Sequence, residues 1–281
     1  MTTWFVTGTS KGLGAAIARY ALAQGDAVVA TARNPQTVVD ALGENEKLLT
    51  VALDVTDSVA VRAAVTAALG RFGRIDVVVN NAGRALTGAL EEMSDRQIRD
   101  QFELNVFAAI DVIRATLPTL RAQRSGTIVN LSSTAGVIGF PASSMYNATK
   151  FAVEGLTAGL RHDLAPLGIS VLAVEPGMFR TGFLSSSTVE VAEGHGTIDD
   201  YAGTPAHEQV AQFGEMDQTQ DGDPDKLAAL LYDVVAAGAP LTRLPVGPDA
   251  VAATETRVAT DAAELAPWRE RAMATNLAVP R

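Results

Sequence analysis

Six short apolar runs punctuate the first two-thirds of the chain, at 3–7, 27–32, 48–53, 75–80, 127–131 and 170–174. They are rich in β-branched residues and lack alternation of apolar with polar positions, the pattern of strands covered on both faces. Helical periodicity fills the intervals near 12–23, 57–71, 94–122 and 145–165. Strand–helix alternation with right-handed crossovers predicts an α/β fold, a doubly wound parallel sheet of the Rossmann type. A helix near 225–238, a seventh strand at 243–246 and helical pieces at 249–259 and 261–274 follow. No linker, repeat or low-complexity segment interrupts the series, so residues 1–281 read as one domain.

The pattern changes after Pro176-Gly177. Residues 178–223 carry many Ser, Thr, Gly, Asp and Glu, with scattered Phe179, Phe183, Leu184, Tyr201 and Phe213. So long a stretch without periodicity is read as a lid over a substrate site or a disordered segment. The four named residues from Phe179 to Tyr201 either line an apolar pocket or anchor the loop. Residues 248–281 form a C-terminal extension, in which Trp268 is expected to pack.

Composition narrows the classes. Hydrophobic residues are 47%, charged residues 19%, and the net charge is −10. An acidic surface repels phosphate backbones, which argues against nucleic acid as a partner. There is no cysteine, so disulfides and thiol chemistry are excluded. The chain enters Trp4-Phe5-Val6-Thr7 without a basic leader, and no apolar run reaches the ~18 residues of a membrane span. The nearest, 227–239, is cut by Asp233 and reads as an amphipathic helix. A cytoplasmic protein with no membrane partner is expected.

Thr7-Gly8-Thr9-Ser10-Lys11-Gly12-Leu13-Gly14 follows the first strand and opens the first helix. Glycines let such a turn tighten and a diphosphate approach the backbone, while the helix start offers free N–H groups. The strand–turn–helix setting separates this turn from an ordinary glycine-rich loop. The second strand ends Ala30-Thr31-Ala32-Arg33, with no acid to hold a ribose 2′-hydroxyl. Arg33, and Lys11 in the turn, suit a 2′-phosphate, so the cofactor reading is NADP.

Tyr146 and Lys150 stand four apart in a predicted helix and share a face. A free phenol has a pKa near about 10; a neighbouring ammonium and a cationic nicotinamide are expected to lower it. Ser133 lies at the carboxyl edge of the 127–131 strand, where open α/β sheets bind ligands.

In order, these motifs resemble the short-chain dehydrogenase/reductase family over residues 3 to about 181: Thr7-Gly8-x-x-x-Gly12-x-Gly14, Asp54-Val55, Asn80-Asn81-Ala82-Gly83, Asn105, Ser133, Tyr146-x-x-x-Lys150 and Pro176-Gly177. The resemblance implies hydride transfer between NADP(H) and a carbonyl or secondary alcohol, with Tyr146 as acid/base. It implies that Asp54 contacts the adenine amine and that Asn81-Ala82-Gly83 lies along the cofactor. Asn105 would hold a water in a relay with Lys150, and Lys150 would also bind the nicotinamide ribose. The segment from Pro176 to Thr181, including Phe179, would pack against the carboxamide. Ser133 rather than Ser132 is chosen because it stands thirteen residues before Tyr146, the family spacing. The resemblance further implies a small lipophilic substrate and a homodimer or homotetramer paired through helices near 105–122 and 145–165.

The alternatives are a dehydratase or epimerase of the same fold, and a catalytically silent NADP-sensing regulator. Regulators of that kind lack the Tyr or the Lys, whereas Asn105, Ser133, Tyr146 and Lys150 are all present. His162, His195 and His207 show no metal-ligand spacing, and Asp199-Asp200 and Asp221-Gly222-Asp223 lack a calcium-loop pattern. No metal is expected.

Overall fold

In the computed structural model, which describes residues 1–277, the first half of the sheet comprises β1 (Thr3–Thr7), β2 (Ala27–Ala32), β3 (Leu48–Ala52) and β4 (Val77–Asn80). The helices α1 (Gly12–Ala23), α2 (Gln36–Leu42) and α3 (Ser58–Phe72) connect them. Next come β5 (Ala85–Thr87), α4 (Asp95–Phe102), α5 (Ala108–Gln123), β6 (Gly126–Leu131), α6 (Ser144–Leu164) and β7 (Ile169–Pro176). The remainder contains β8 (Val189–Val191), α7 (Pro205–Met216), α8 (Pro224–Ala236), β9 (Arg243–Val246), α9 (Pro248–Leu265) and α10 (Arg269–Met273).

Seven strands form one parallel sheet in the order β3-β2-β1-β4-β6-β7-β9. The order reverses beside β1, the switch point where open α/β sheets bind ligands. Trp4 and Val6 pack with Ile17, Leu227 and Leu231 on one face, beside α1 and α8. Phe5 packs with Val61, Val65 and Ile113 on the other, beside α3 and α5. Both faces being covered explains why these strands carry no period-2 pattern. Burying one such side chain contributes roughly 1.5–3 kcal/mol. Pro245 sits in β9, an edge strand where its missing N–H is tolerated.

Several boundaries differ from the periodicity. The stretch 94–122 is not one α-helix: α4 starts with a capping box between Ser94 and Gln97, and residues Glu103–Phe107 form a π-helical turn before α5. The Ala108 N–H reaches back five residues to the Glu103 carbonyl. The 178–223 stretch is not structureless. It holds β8, which pairs in parallel with β5 in a small second sheet, and the 12-residue helix α7. The pieces at 249–259 and 261–274 are instead one continuous α9 followed by a 3-10 turn and α10. Trp268 does not pack into a core: it is 57% exposed, with the Arg271 guanidinium over its ring. No helix among the described residues is long and apolar enough to cross a membrane.

Candidate active site

The glycine-rich turn is stapled to the end of β4. Asn81 Nδ2 donates to the Thr7 and Gly8 carbonyls at 2.8 and 2.9 Å, and the Thr7 hydroxyl accepts from the Asn81 and Ala82 N–H groups. Gly8 and Gly12 have φ of +70° and +63°, a left-handed conformation that favours glycine. A Cβ on Gly14 would lie 2.4 Å from Asn81 Nδ2 and 2.5 Å from the Gly8 carbonyl oxygen. Gly14 therefore serves close packing behind the turn. The start of α1 has no side-chain cap and no acid in its first turn, leaving its N–H groups and dipole to an anion.

A cleft of about 620 Å³ opens above this turn, within the range of small-molecule sites. Gly8, Ser10, Lys11, Gly12 and Leu13 line its floor; Arg33, Asp54 and Val55 line the β2–β3 end. Asn81, Ala82, Gly83, Ser133 and Lys150 line the middle. Pro176, Gly177, Phe179 and Thr181 form the opposite wall. The predicted cofactor residues thus line one cleft, except Gly14, which lies behind its floor, and Tyr146, which stands beside Ser133 and Lys150.

Three placements refine the expectations. The Lys11 ammonium donates to the Ser187 hydroxyl at 2.7 Å, so it ties the turn to the loop across the cleft. Asp54 accepts from the Thr56 hydroxyl at 2.7 Å and from its N–H at 3.0 Å. Those bonds, with the Arg33 charge adding to them, hold its carboxyl below the usual range. Phe179 touches the cleft but belongs to the core beside α8.

Of the four proposed catalytic side chains, Ser133 and Lys150 line this cleft, Tyr146 stands half-buried beside them, and Asn105 is buried behind Gly83. Lys150 is buried on α6, and its Nζ donates to the Leu131 carbonyl at 2.8 Å. It lies 5.6 Å from the centre of the Tyr146 ring, as expected from i,i+4 spacing. Ser133 begins a 3-10 turn and its hydroxyl accepts from the Ala135 N–H at 3.1 Å. Asn105 sits in the π-turn. Its amide donates to the Arg84 carbonyl and the Thr149 hydroxyl and accepts from the Arg84 N–H. Burial pushes the Tyr146 phenol up to about 12, the Ser133 hydroxyl opposing this. The lowering expected from Lys150 is not seen in the protein alone: burial dominates, and what opposes it is the Ser133 hydroxyl. Burial pulls the Lys150 ammonium down to about 8, against the Glu154 charge.

The loop beyond β7 is held by residues that sequence reasoning missed. Glu92 accepts from the Ile198 N–H at 2.8 Å and contacts His207 Nε2 at 2.9 Å. Gln97 donates to the Val191 carbonyl, and Arg84 pairs with Glu190 at 2.9 Å. Tyr201 donates to Glu91 at 2.7 Å, so it anchors the loop rather than lining a pocket. Phe183 does line the cleft, with its ring centre 5.9 Å from that of Tyr146. These partners lie about a hundred residues apart, and no local pattern announces them.

A family sequence model described as short chain dehydrogenase matches residues 2–191. The chain belongs to the short-chain dehydrogenase family. It is 39% identical over 278 residues to oxidoreductase BOA17 of Botryotinia fuckeliana (strain B05.10), covering 97% of this chain and 98% of that one. It is 35% identical over 243 residues to 3-ketodihydrosphingosine reductase of Bacteroides thetaiotaomicron, covering 86% and 87%. Among solved structures, a short-chain dehydrogenase from Streptomyces avermitilis superposes with a TM-score of 0.86 at 38% identity, covering 98% of this chain and 100% of that one. A 3-ketoacyl-(acyl-carrier-protein) reductase from Brucella melitensis complexed with NADH matches with a TM-score of 0.72 at 25% identity, covering 86% and 95%. ElxO with NADP bound matches with a TM-score of 0.70 at 27% identity, covering 86% and 96%. This short-chain dehydrogenase family member is thus an oxidoreductase by kinship, and relatives of its fold take nicotinamide cofactors.

Proposed function

We propose that this protein is an NADP-dependent oxidoreductase interconverting a carbonyl and a secondary alcohol, with Tyr146 as acid/base aided by Lys150, Ser133 and Asn105. The observation that carries the reading is the juxtaposition of the Tyr146 phenol with the Ser133 hydroxyl and the buried Lys150 ammonium, both of which line the glycine-floored cleft, as does the Phe183 ring that packs on Tyr146. The residues of the cleft fit the cofactor: the uncapped α1 start and the left-handed glycines suit its diphosphate. Arg33 at the end of β2, with no acid beside it, suits a 2′-phosphate. Relatives of this fold hold either NADH or NADP, so the NADP preference rests on Arg33.

When bound, NADPH supplies the hydride that reduces the carbonyl carbon. Tyr146, kept protonated by burial, is suited to give its proton to the carbonyl oxygen as negative charge builds there. Ser133 is placed to donate a second hydrogen bond to the same oxygen, and Lys150 supplies positive charge beneath the phenol. Asn105 fixes the Gly83-Arg84 backbone along the cleft. Phe183 and Met178 give the substrate end an apolar wall, which suits a small lipophilic substrate. The name of the Bacteroides relative, a keto reductase, supports carbonyl reduction. Exposed Phe107 and Phe151 on the α5 and α6 side support assembly as a homodimer or homotetramer.

The test is NADPH oxidation across a panel of ketones, aldehydes, quinones and steroids, with Tyr146→Phe as the control. That variant should lose about 10²–10⁴-fold in kcat while binding NADPH as the wild type does in a fluorescence titration. A Tyr146→Phe enzyme that reduces the same carbonyl at the wild-type rate refutes the assignment.

A further inference from the structure

Behind the catalytic side chains lies a second buried polar group that the hydride-transfer scheme does not use. Glu154 follows Lys150 by one turn on α6 and is 3% exposed; Glu175, on β7 immediately before Pro176-Gly177, is 1% exposed. Arg243 on β9 donates to Glu154 Oε2 at 2.9 Å and stands 3.6 Å from Glu175 Oε1. Among the described residues, Glu154 Oε1, both Glu175 carboxyl oxygens and Ser132 Oγ are buried without a hydrogen-bond partner. We propose that Glu154 and Glu175 are a proton-sharing carboxyl pair, clamped by Arg243, that sets the charge state of Lys150 and thereby the pH range of the reaction.

Two buried carboxylates side by side, sharing one half-exposed guanidinium, disfavour both being ionised at once. A proton held between facing acceptor oxygens removes one charge and satisfies an oxygen that is otherwise unpaired. Burial and the Glu154 charge push the Glu175 carboxyl up to about 7, Arg243 opposing them, which agrees with this geometry. The groups facing the pair are few. Lys150 shares α6 with Glu154, Arg243 comes from β9, and Ser132 from the end of β6 brings a neutral hydroxyl. Asp249, at the start of α9, is spent on the Met178 N–H beyond the strand. The pair touches neither the cleft nor Tyr146, so Glu154 and Glu175 are positioning residues that act on Lys150 through charge. When the shared proton leaves, the added negative charge favours the Lys150 ammonium. The loss of that proton therefore holds Lys150 in its charged form to higher pH.

The inference rests on the oxidoreductase reading only for its kinetic arm. Infrared difference spectra between about pH 6 and pH 8 should show a protonated-carboxyl C=O band that disappears on the alkaline side, since ordinary carboxyls are ionised throughout this range. The band should be absent in Glu175→Gln, and in Arg243→Gln it should titrate at higher pH. In Glu154→Gln, the alkaline limb of kcat/KM for NADPH should move down by roughly one pH unit, with KM for NADPH within about twofold of wild type. A purely structural role would lower the melting temperature and leave the limb in place. A wild-type spectrum with no titrating band overturns the shared proton, and an unmoved limb in a folded Glu154→Gln enzyme overturns the coupling to Lys150. The infrared arm needs no turnover, so the pair and the oxidoreductase reading stand or fall separately.

Discussion

The Phe183 ring leans on the Tyr146 ring at 44°, with centroids 5.9 Å apart, joining the loop beyond β7 to the proton donor on α6. Edge contacts of this kind are worth about 0.5–1.5 kcal/mol beyond area burial. Phe183→Ala should open the phenol to water and remove part of the apolar wall. We expect kcat/KM for lipophilic carbonyls to fall about tenfold, equivalent to about 1.4 kcal/mol, with smaller losses for short aldehydes. Equal losses for both substrate classes would show that Phe183 does not contact substrate.

The pH dependence follows from Lys150 and Tyr146. Lys150 titrates near 8 in the folded protein and Tyr146 near 12. Carbonyl reduction, measured as kcat/KM for NADPH, should hold below pH 8 and decline above it as the ammonium is lost. A rate that holds to pH 10 removes Lys150 from the mechanism.

Stability carries the opposite sign for the same lysine. Its folded pKa is depressed from 10.5, so the unfolded chain binds more protons between pH about 8 and 10.5. The burden of burying the charge is full below 8 and is relieved as pH rises through that window. Lys150→Met should raise the melting temperature at neutral pH, and the gain should shrink towards pH 10.5. A gain that persists undiminished at the alkaline end would assign the effect to packing.

Arg33→Asp places a carboxylate at the end of β2. It should repel a 2′-phosphate and accept a ribose hydroxyl. The NADPH/NADH ratio of kcat/KM should fall at least about tenfold, or about 1.4 kcal/mol. An unchanged ratio would locate selectivity elsewhere, with Lys11 the next residue to test.

Gly14→Ala forces a methyl into the Asn81 amide and the Gly8 carbonyl oxygen. Overpacking of this kind typically costs about 1–3 kcal/mol. Thermal unfolding should show the loss, and cofactor titration should show weaker binding because the staple between β1 and β4 is displaced. Wild-type stability would mean that the turn yields freely.

Much of the fold is legible because the central strands β1, β2 and β4 are buried on both faces and helical stretches fill the intervals between strands. The seven strands could be read on that basis; the cleft residues that follow them come from the glycine-rich turn, Arg33 and the family motifs. Phe179 and Phe183 show where the reading stops: both are loop phenylalanines four residues apart, yet one is core and the other faces Tyr146. Only the path of the loop separates them, and that path is set by Glu92, Gln97 and Arg84 through contacts across about a hundred residues. The π-turn escapes for a different reason. One extra residue shifts the apolar phase only once, between two helical stretches of which α4 is too short to fix its own phase against the other. Glu154 could have been noticed at one turn beyond Lys150, but Glu175 reads as one more position in a strand.

The π-turn at Glu103–Phe107 also makes the site sensitive to chain length in a way that substitution would not expose. Such a turn amounts to a single inserted residue in a helix. Removing one residue there would restore regular α geometry and rotate everything on one side by about 100° relative to the other. Either Asn105 would leave Arg84 and Thr149, or α5 would turn its Val112 and Ile113 face away from α3. A one-residue deletion in this turn has no loop beside it in which to be absorbed, because α4 and α5 continue directly from its two ends.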